Sequence, residues 1–269
     1  MRPRPPQQGN FFRTLRIGIL LVVLLAVAGD AWLTRWRTTD WDAPLWVSVY
    51  PINADGSPAT ARYLATLDSG TFADVEDFLA REAARYGVDQ SSPMQLRLAP
   101  EVREPPSPPP VNGQRLAVMG WSLKMRYWAW RIQRTAGGPP SDIQVFVQYF
   151  DPQQTERLAH SLGLQKGLIG VVNAFASPRM ADQNNVVIAH ELLHTVGASD
   201  KYDLRTNQPL YPQGYAEPER EPLYPQSHAE IMGGRVPVSE RGSEIPLSLD
   251  KTLIGPATAA EIHWITPDS

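Results

Sequence analysis

The chain of 269 residues contains 25 lysines and arginines against 28 aspartates and glutamates, a formal net charge of −3, and 42% of its residues are hydrophobic. This is the composition of a globular protein with enough apolar residues for one sizeable core, and the lack of a basic surplus argues against a nucleic-acid partner. Because cysteine is absent, the sequence excludes disulfides, thiolate zinc sites and cysteine nucleophiles, so any metal must be bound by His, Asp or Glu.

The N-terminal segment, residues 1–37, is predicted to target the chain to a membrane. Four arginines precede an apolar run that extends from Ile17 to Gly29, and Arg35 and Arg37 follow it. More positive charge before the run than after it favours a cytoplasmic N-terminus and an exported body, on the periplasmic or extracellular face of the membrane.

Two interpretations of this apolar run remain open. In one, it is the core of a cleaved signal peptide, with Ala26-Val27-Ala28 as the cleavage site. In the other, which we favour, it is an uncleaved anchor that ends at Leu33 or Trp36, where aromatic and arginine residues resemble a membrane boundary. Residues 38–44 are then a linker to the body, residues 45–269.

The body is predicted to combine strands and helices up to residue 197 and to continue as an irregular segment rich in proline and tyrosine. The predicted elements are a strand at 45–52, a helix at 72–86, a strand at 94–98, a helix at 116–134, strands at 143–149 and 168–175, a helix at 182–197 and a C-terminal helix at 257–265. This order predicts one α+β domain with a single sheet, an upper lobe over about 45–197 and a lower lobe over about 198–269.

The predicted helix over 116–134 is unusual in its aromatic content. It contains Trp121, Tyr127, Trp128 and Trp130. Aromatic side chains in a helix are predominantly core residues, so we expect them to be buried, with contact to a membrane as the alternative.

A short segment in the helix at 182–197 predicts a metal site. In His190-Glu191-Leu192-Leu193-His194, the two histidines are four residues apart and therefore project from one face of the helix, one turn apart. Two imidazoles at this spacing can bind one tetrahedral ion, and Glu191 on the adjoining face can act as a general base on a water at that ion.

The residues after His194 extend this motif. Gly197 is the residue type expected where a helix ends in a left-handed turn, and such a turn brings Asp200 back towards the two histidines as a third ligand. The resulting pattern, HExxHxxGxxD, resembles that of the metzincin zinc metallopeptidases, in which HExxHxxGxxH predominates and an aspartate third ligand occurs in a minority such as the snapalysins.

The resemblance implies a two-lobed zincin fold with a mixed sheet, an active-site helix and a zinc ion bound by His190, His194 and Asp200. It implies a methionine in a tight turn under the metal, which we assign to Met232 in the segment 231–234. It also implies that the strand before the active helix is an exposed edge that binds extended substrate through Gly170, Val172, Asn173 and Ala174.

The predicted function is therefore that of an exported zinc endopeptidase with protein or peptide substrates and Glu191 as its catalytic base. Two alternatives remain: a membrane-tethered binding or scaffold protein without turnover, and a zinc hydrolase that acts on a non-peptide bond. A tyrosine in contact with the transition state is also expected, and the sequence does not select among Tyr202, Tyr211, Tyr215 and Tyr224.

Overall fold

A computed structural model describes residues 13–18, 21, 40–110, 114–136, 140–164 and 168–265. The chain divides into one unit over Met1–Asp40 and a second over Trp41–Ser269. The described residues 13–18 and 21 of the first unit are helical and exposed, whereas the predicted cleavage site and the rest of the apolar run after residue 21 lie outside the described residues. No helix within the described ranges has the length and apolarity needed to cross a membrane.

A five-stranded mixed sheet organises the second unit. Its strands are β1 (Leu45–Asn53), β2 (Met94–Leu98), β3 (Ile143–Phe150), β4 (Leu162–Leu164) and β5 (Ile169–Phe175). Their order across the sheet is β2-β1-β3-β5-β4, and every pair is parallel except β4 with β5, which is antiparallel. This arrangement of helices and a mixed sheet is consistent with the predicted α+β class.

In the described residues of this unit, five helices accompany the sheet: α1 (Pro58–Leu64), α2 (Ala73–Arg85), α3 (Arg115–Ala136), α4 (Ala181–Val196) and α5 (Pro256–Glu261). The sequence did not predict α1, although the Ser57 side chain caps it by accepting a hydrogen bond from the Thr60 backbone N–H. A C-terminal helix was predicted over 257–265, and the predicted C-terminal end is wrong. The observed helix ends at Glu261 because the backbone turns there, with His263 in the left-handed region at φ 62°.

Apolar side chains from the two faces of the sheet form two separate cores. Successive strand residues point to opposite faces, so Val145 and Val147 join the core that includes α2 and α4, whereas Phe146 joins the one that includes α3. The sheet therefore lies between α4 on one face and α3 on the other.

The chain after α4 is irregular, as predicted. Two short ladders interrupt it: β6 (Ala229–Glu230) is parallel to β9 (Thr252–Leu253), and β7 (Val236–Pro237) is antiparallel to β8 (Ser243–Glu244).

The beginning of the body differs from the prediction. Trp41, within the predicted linker, is buried, donates a hydrogen bond from Nε1 to the Ile262 carbonyl at 2.8 Å and packs edge-on against Trp264. The body therefore begins at Trp41, and this tryptophan fastens its start to the residues that follow α5.

Candidate metal centre

The metal-binding residues belong to α4 and to the turn that ends it. One side of α4 is in the core through Ile188, Leu192 and Leu193, which fixes the helix against the sheet. At Gly197 the backbone adopts φ 119°, and the Ala198 N–H bonds to the Leu193 carbonyl at 3.0 Å. A side chain is disfavoured at such a φ, so glycine permits the reversal that the sequence predicts.

The three predicted ligand atoms form a nearly equilateral triangle. His190 Nε2 lies 3.1 Å from His194 Nε2, and Asp200 Oδ1 lies 3.2 Å and 3.1 Å from the same two nitrogens. Neighbouring ligands of a tetrahedral zinc with bonds of about 2.0–2.1 Å are separated by about 3.3–3.4 Å. The triangle is therefore of the right size for three corners of a zinc tetrahedron, and its fourth corner would remain open. Among the described residues, this is the one group of His, Asp or Glu side chains close enough to hold an ion.

The outer nitrogens of both imidazoles are bound to backbone carbonyls. His190 Nδ1 lies 2.9 Å from the Ile231 oxygen, and His194 Nδ1 lies 2.8 Å from the Ala198 oxygen. A carbonyl only accepts, so each Nδ1 carries the hydrogen and each neutral Nε2 presents a lone pair. Two lone pairs and a carboxylate at these separations repel one another, and a cation among them removes the repulsion. The donor set therefore fits a zinc ion.

The charges of the protein favour a positive centre at the same place. Burial acts to lower the pKa of His190, but the Asp200 carboxylate 3.2 Å away, the charge of Glu191 and the Ile231 carbonyl outweigh it, so the pKa of this imidazole is raised. Burial acts to raise the pKa of Asp200, but the close contacts of its carboxylate with both histidine rings hold that pKa far below the ordinary value. Both directions mean that positive charge is stabilised between the three side chains.

Glu191 lies beside this centre with one oxygen unsatisfied. The residue is 5% exposed, and its Oε2 is buried without a hydrogen-bond partner among the residues that the structure describes. Burial raises the pKa of Glu191, against the charges of His190 and His194, which lower it. A buried carboxylate oxygen without a partner is costly, and in this position it is available to a water or a substrate group.

The position of Asp200 is fixed through the residues on either side of it. Glu261 of α5 accepts hydrogen bonds from the Ser199 backbone N–H and hydroxyl at 2.9 and 2.6 Å, and from Lys201 Nζ at 2.7 Å. The Lys201 backbone N–H also bonds to the Met232 carbonyl at 2.8 Å. The C-terminal helix and the turn at Met232 together hold the third ligand in place.

Met232 lies in a short 3-10 turn, Ile231–Gly233, and is fully buried. The turn touches the centre through the Ile231 carbonyl on His190. It is anchored by buried Glu230, which accepts from Gly233 N, Gly255 N and Thr258 Oγ1 at 2.8, 3.0 and 2.6 Å. The turn therefore supports His190 through the Ile231 carbonyl, not through the Met232 side chain.

The prediction that β5 is the exposed edge strand is wrong. β5 pairs with β3 along its whole length and with β4 at Ile169–Val171, so it is internal to the sheet. The four residues proposed to bind substrate are covered: Gly170 faces Gly163 of β4, Val172 and Ala174 lie in the core, and the Asn173 side chain bonds to the carbonyls of residues 159 and 160. The sequence-based prediction failed because an edge position depends on which strand pairs next.

The edge position belongs to β4, which lies directly against α4. A Cβ on Gly163 would clash with the His194 Cβ and come within 2.9 Å of the Glu191 carbonyl oxygen. Gly163 therefore permits β4 to approach the metal-binding helix. No pattern identified it in the sequence, because β4 has three residues and no alternation that could be recognised.

Of the four candidate tyrosines, Tyr202 packs against a predicted metal ligand. Its ring centroid is 6.3 Å from that of His190, and burial together with the negative charge of Asp200 raises the pKa of Tyr202 to about 12. Tyr211, Tyr215 and Tyr224 pack on one another, with the last two joined by a hydroxyl contact of 2.9 Å.

Comparison with known proteins does not assign the chain to a family. No family model and no curated protein matches it. A chain in the structure of a chaperone–substrate complex is similar at 11% identity and a TM-score of 0.37, over 82% of this chain and 34% of that one. Wild-type OgpA from Akkermansia muciniphila is similar at 13% identity and a TM-score of 0.36, over 86% of this chain and 67% of that one. This chain spans about a third of the first structure's length, and neither score is high enough to establish a shared fold.

Proposed function

We propose that this protein is a zinc-dependent endopeptidase of the metzincin type, exported and anchored by its N-terminal segment. The observation that carries the proposal is the triangle of His190 Nε2, His194 Nε2 and Asp200 Oδ1, with the unsatisfied Oε2 of Glu191 beside it. A base next to a metal with an open coordination position is the arrangement that metal-assisted hydrolysis of a peptide bond uses.

Zinc, when bound, supplies a Lewis acid that polarises the substrate carbonyl and makes water a better nucleophile. The other steps belong to the chain. Glu191 Oε2 takes a proton from the attacking water as the new C–O bond forms, and then passes it to the nitrogen of the leaving amine as the C–N bond breaks. The Ile231 and Ala198 carbonyls keep the two imidazoles in the tautomer that leaves Nε2 free for the metal.

The position of β4 favours a peptide over another substrate. Within the described part of the chain, β4 pairs with β5 on one side only, and Gly163 places it against His194. An extended peptide that adds to the free side of β4 as a further strand would pass beside the metal-binding helix. A substrate without a peptide backbone would not form the ladder of hydrogen bonds that this edge offers.

The proposal is tested by zinc content and peptide cleavage of the Glu191→Gln variant. Gln keeps the size of the side chain and removes the base, so zinc should remain at one equivalent while cleavage falls by about 10²–10⁴-fold. Glu240→Gln, a change of the same kind at an exposed site, is the matched control and should match the wild type. Cleavage by Glu191→Gln at the wild-type rate, or a wild-type protein that binds no zinc or cleaves no peptide, would refute the proposal. A zinc-loaded wild type without cleavage would favour a scaffold role.

A further inference from the structure

Helix α3 carries an exposed apolar stripe. Leu116, Met119, Leu123, Tyr127 and Trp130 follow one another at three or four residues, and each is between 47% and 78% exposed. This spacing places all five on one side of the helix. The rings of Tyr127 and Trp130 stack on each other at 5.7 Å, which makes the stripe continuous at its C-terminal end.

The stripe is not the face that packs on the sheet. That contact is made by Met125, Trp128, Ala129 and Ile132, which are buried in the second core with Phe146. At about 100° per residue, this buried face lies opposite the stripe. The helix therefore has two apolar faces, and the protein covers one of them.

The charges on α3 are all of one sign. The helix contains Arg115, Lys124, Arg126, Arg131 and Arg134 and no acidic residue, in a chain with a net charge of −3. By their helical positions, two of these residues flank the stripe on each side, and Arg134 continues it, with its guanidinium 4.7 Å above the Trp130 ring. Glu104, outside the helix, forms an ion pair with Arg131.

We propose that α3 binds the surface of a bilayer that contains anionic lipids. Aromatic and aliphatic side chains flanked by arginine and lysine characterise helices that lie in the membrane interface, where the apolar face enters the acyl region and the cations contact phosphate groups. A second copy of the chain is a poor occupant, because its α3 would bring basic residues against basic residues with no acidic residue in either helix. The five charges within 22 residues also exclude a membrane span.

Docking in this way orients the body. Because α3 and α4 lie on opposite faces of the sheet, α3 on the bilayer leaves α4 and its histidines on the side away from lipid. The importance of this orientation for peptide substrates rests on the proposed function, whereas the binding of α3 to lipid does not.

The proposal is tested on the full chain, which has no cysteine and is therefore suited to a single fluorescent label. In one protein the label is placed on the stripe, at Leu123→Cys. In the control it is placed at Leu204→Cys, because Leu204 is also an exposed leucine but lies outside α3. Each protein is reconstituted into vesicles of phosphatidylcholine, or of phosphatidylcholine and phosphatidylglycerol in equal parts, that contain lipids brominated near the headgroup. We expect strong quenching of the Leu123→Cys label in the mixed vesicles, much weaker quenching in phosphatidylcholine, and little at Leu204→Cys in either.

Charge variants identify α3 as the source of the attraction. A basic residue near an anionic surface raises binding by about fivefold, so Arg115→Gln with Lys124→Gln should lower the ratio of docked to undocked protein by about 25-fold. Arg62→Gln with Arg241→Gln, equal in charge and outside α3, is the control and should leave that ratio unchanged. Equal quenching at the two label positions, no dependence on phosphatidylglycerol, or equal effects of the two double variants would overturn the proposal. The first result is also the one expected if the stripe binds an acidic protein. Peptide cleavage is not measured, so failure of the proposed function leaves the outcome unaffected.

Discussion

Helices α3 and α4 cover opposite faces of one sheet and use their residues in different ways. In α4 most apolar side chains are buried, and three of its polar residues, His190, Glu191 and His194, belong to the candidate metal centre. In α3 one apolar face is buried and a second is exposed. A buried polar side chain and an exposed apolar patch are both unusual in a folded protein. Each indicates a binding partner, which is a metal ion for α4 and another surface for α3.

The histidines of α4 have partners within the protein, whereas the stripe of α3 is proposed to bind a partner outside it. The histidines of α4 are bound by carbonyls and a carboxylate of the same chain, so the site is organised before any ligand arrives. The stripe of α3 is exposed, and none of the described residues of the body covers it. The comparison therefore predicts that changes at the α4 centre alter metal binding, whereas changes on the stripe leave the fold intact.

The largest expected effect is the loss of the third ligand. Asp200→Ala removes the carboxylate that completes the triangle, and two histidines alone bind zinc poorly, so the zinc affinity should fall by more than about 100-fold. Competition with a chromogenic chelator measures it. Asp250→Ala, which removes a highly exposed carboxylate, is the control and should bind zinc as the wild type does. An unchanged zinc affinity in Asp200→Ala would assign the third ligand to another residue.

Substitution of two tryptophans compares how much each face of α3 contributes to the stability of the fold. Trp128 is 6% exposed and packs 4.3 Å from Phe146, so Trp128→Ala should lower the free energy of unfolding by about 3–5 kcal/mol. Trp130, two residues later in the chain, lies on the exposed face of the helix. Trp130→Ala should therefore lower the free energy of unfolding by less than about 1 kcal/mol. Chemical denaturation followed by circular dichroism measures both. Similar losses for the two variants would mean that the stripe packs inside the protein.

Sequence patterns predicted the elements whose signal is local. Strands β1, β2, β3 and β5 and helices α2, α3 and α4 lie within one or two residues of their predicted ranges, because each is long enough for its hydrophobic period to be recognised. The candidate ligands His190, His194 and Asp200 were predictable for the same reason, since eleven consecutive residues carry the whole pattern.

The residues that organise the site were not predictable. The Ile231 and Ala198 carbonyls contribute backbone atoms, which leave no trace in the sequence. Glu261 acts across sixty or more residues of chain, and no period or motif connects it with Ser199 or Lys201. The aromatic residues of α3 were expected in the core, and the structure divides them between two faces because only one face of that helix meets the sheet.

The contact between α5 and the residues around Asp200 should matter less than the ligand itself. Glu261→Ala removes the acceptor of three hydrogen bonds and leaves the buried Lys201 ammonium with one bond, to the Ser199 carbonyl. Loosening of Asp200 should lower zinc affinity by about 10–100-fold, the range for residues that orient metal ligands. Glu240→Ala, at an exposed site, serves as the control. Wild-type affinity in Glu261→Ala would show that the turn at Gly197 alone positions the ligand.

The smallest expected effect comes from a substitution that tests the close contact between β4 and α4. Gly163 and Gly170 face each other across the β4–β5 pair, yet a Cβ at Gly163 would clash with His194, whereas one at Gly170 would meet Val145 at an ordinary 3.5 Å. Gly163→Ala should therefore lower the free energy of unfolding by about 1–3 kcal/mol, as overpacking does, and weaken zinc binding by shifting His194. Gly170→Ala should change neither by a measurable amount. If both substitutions were tolerated equally, β4 would lie further from the metal-binding helix, and the edge on which a peptide substrate is proposed to bind would not reach the centre.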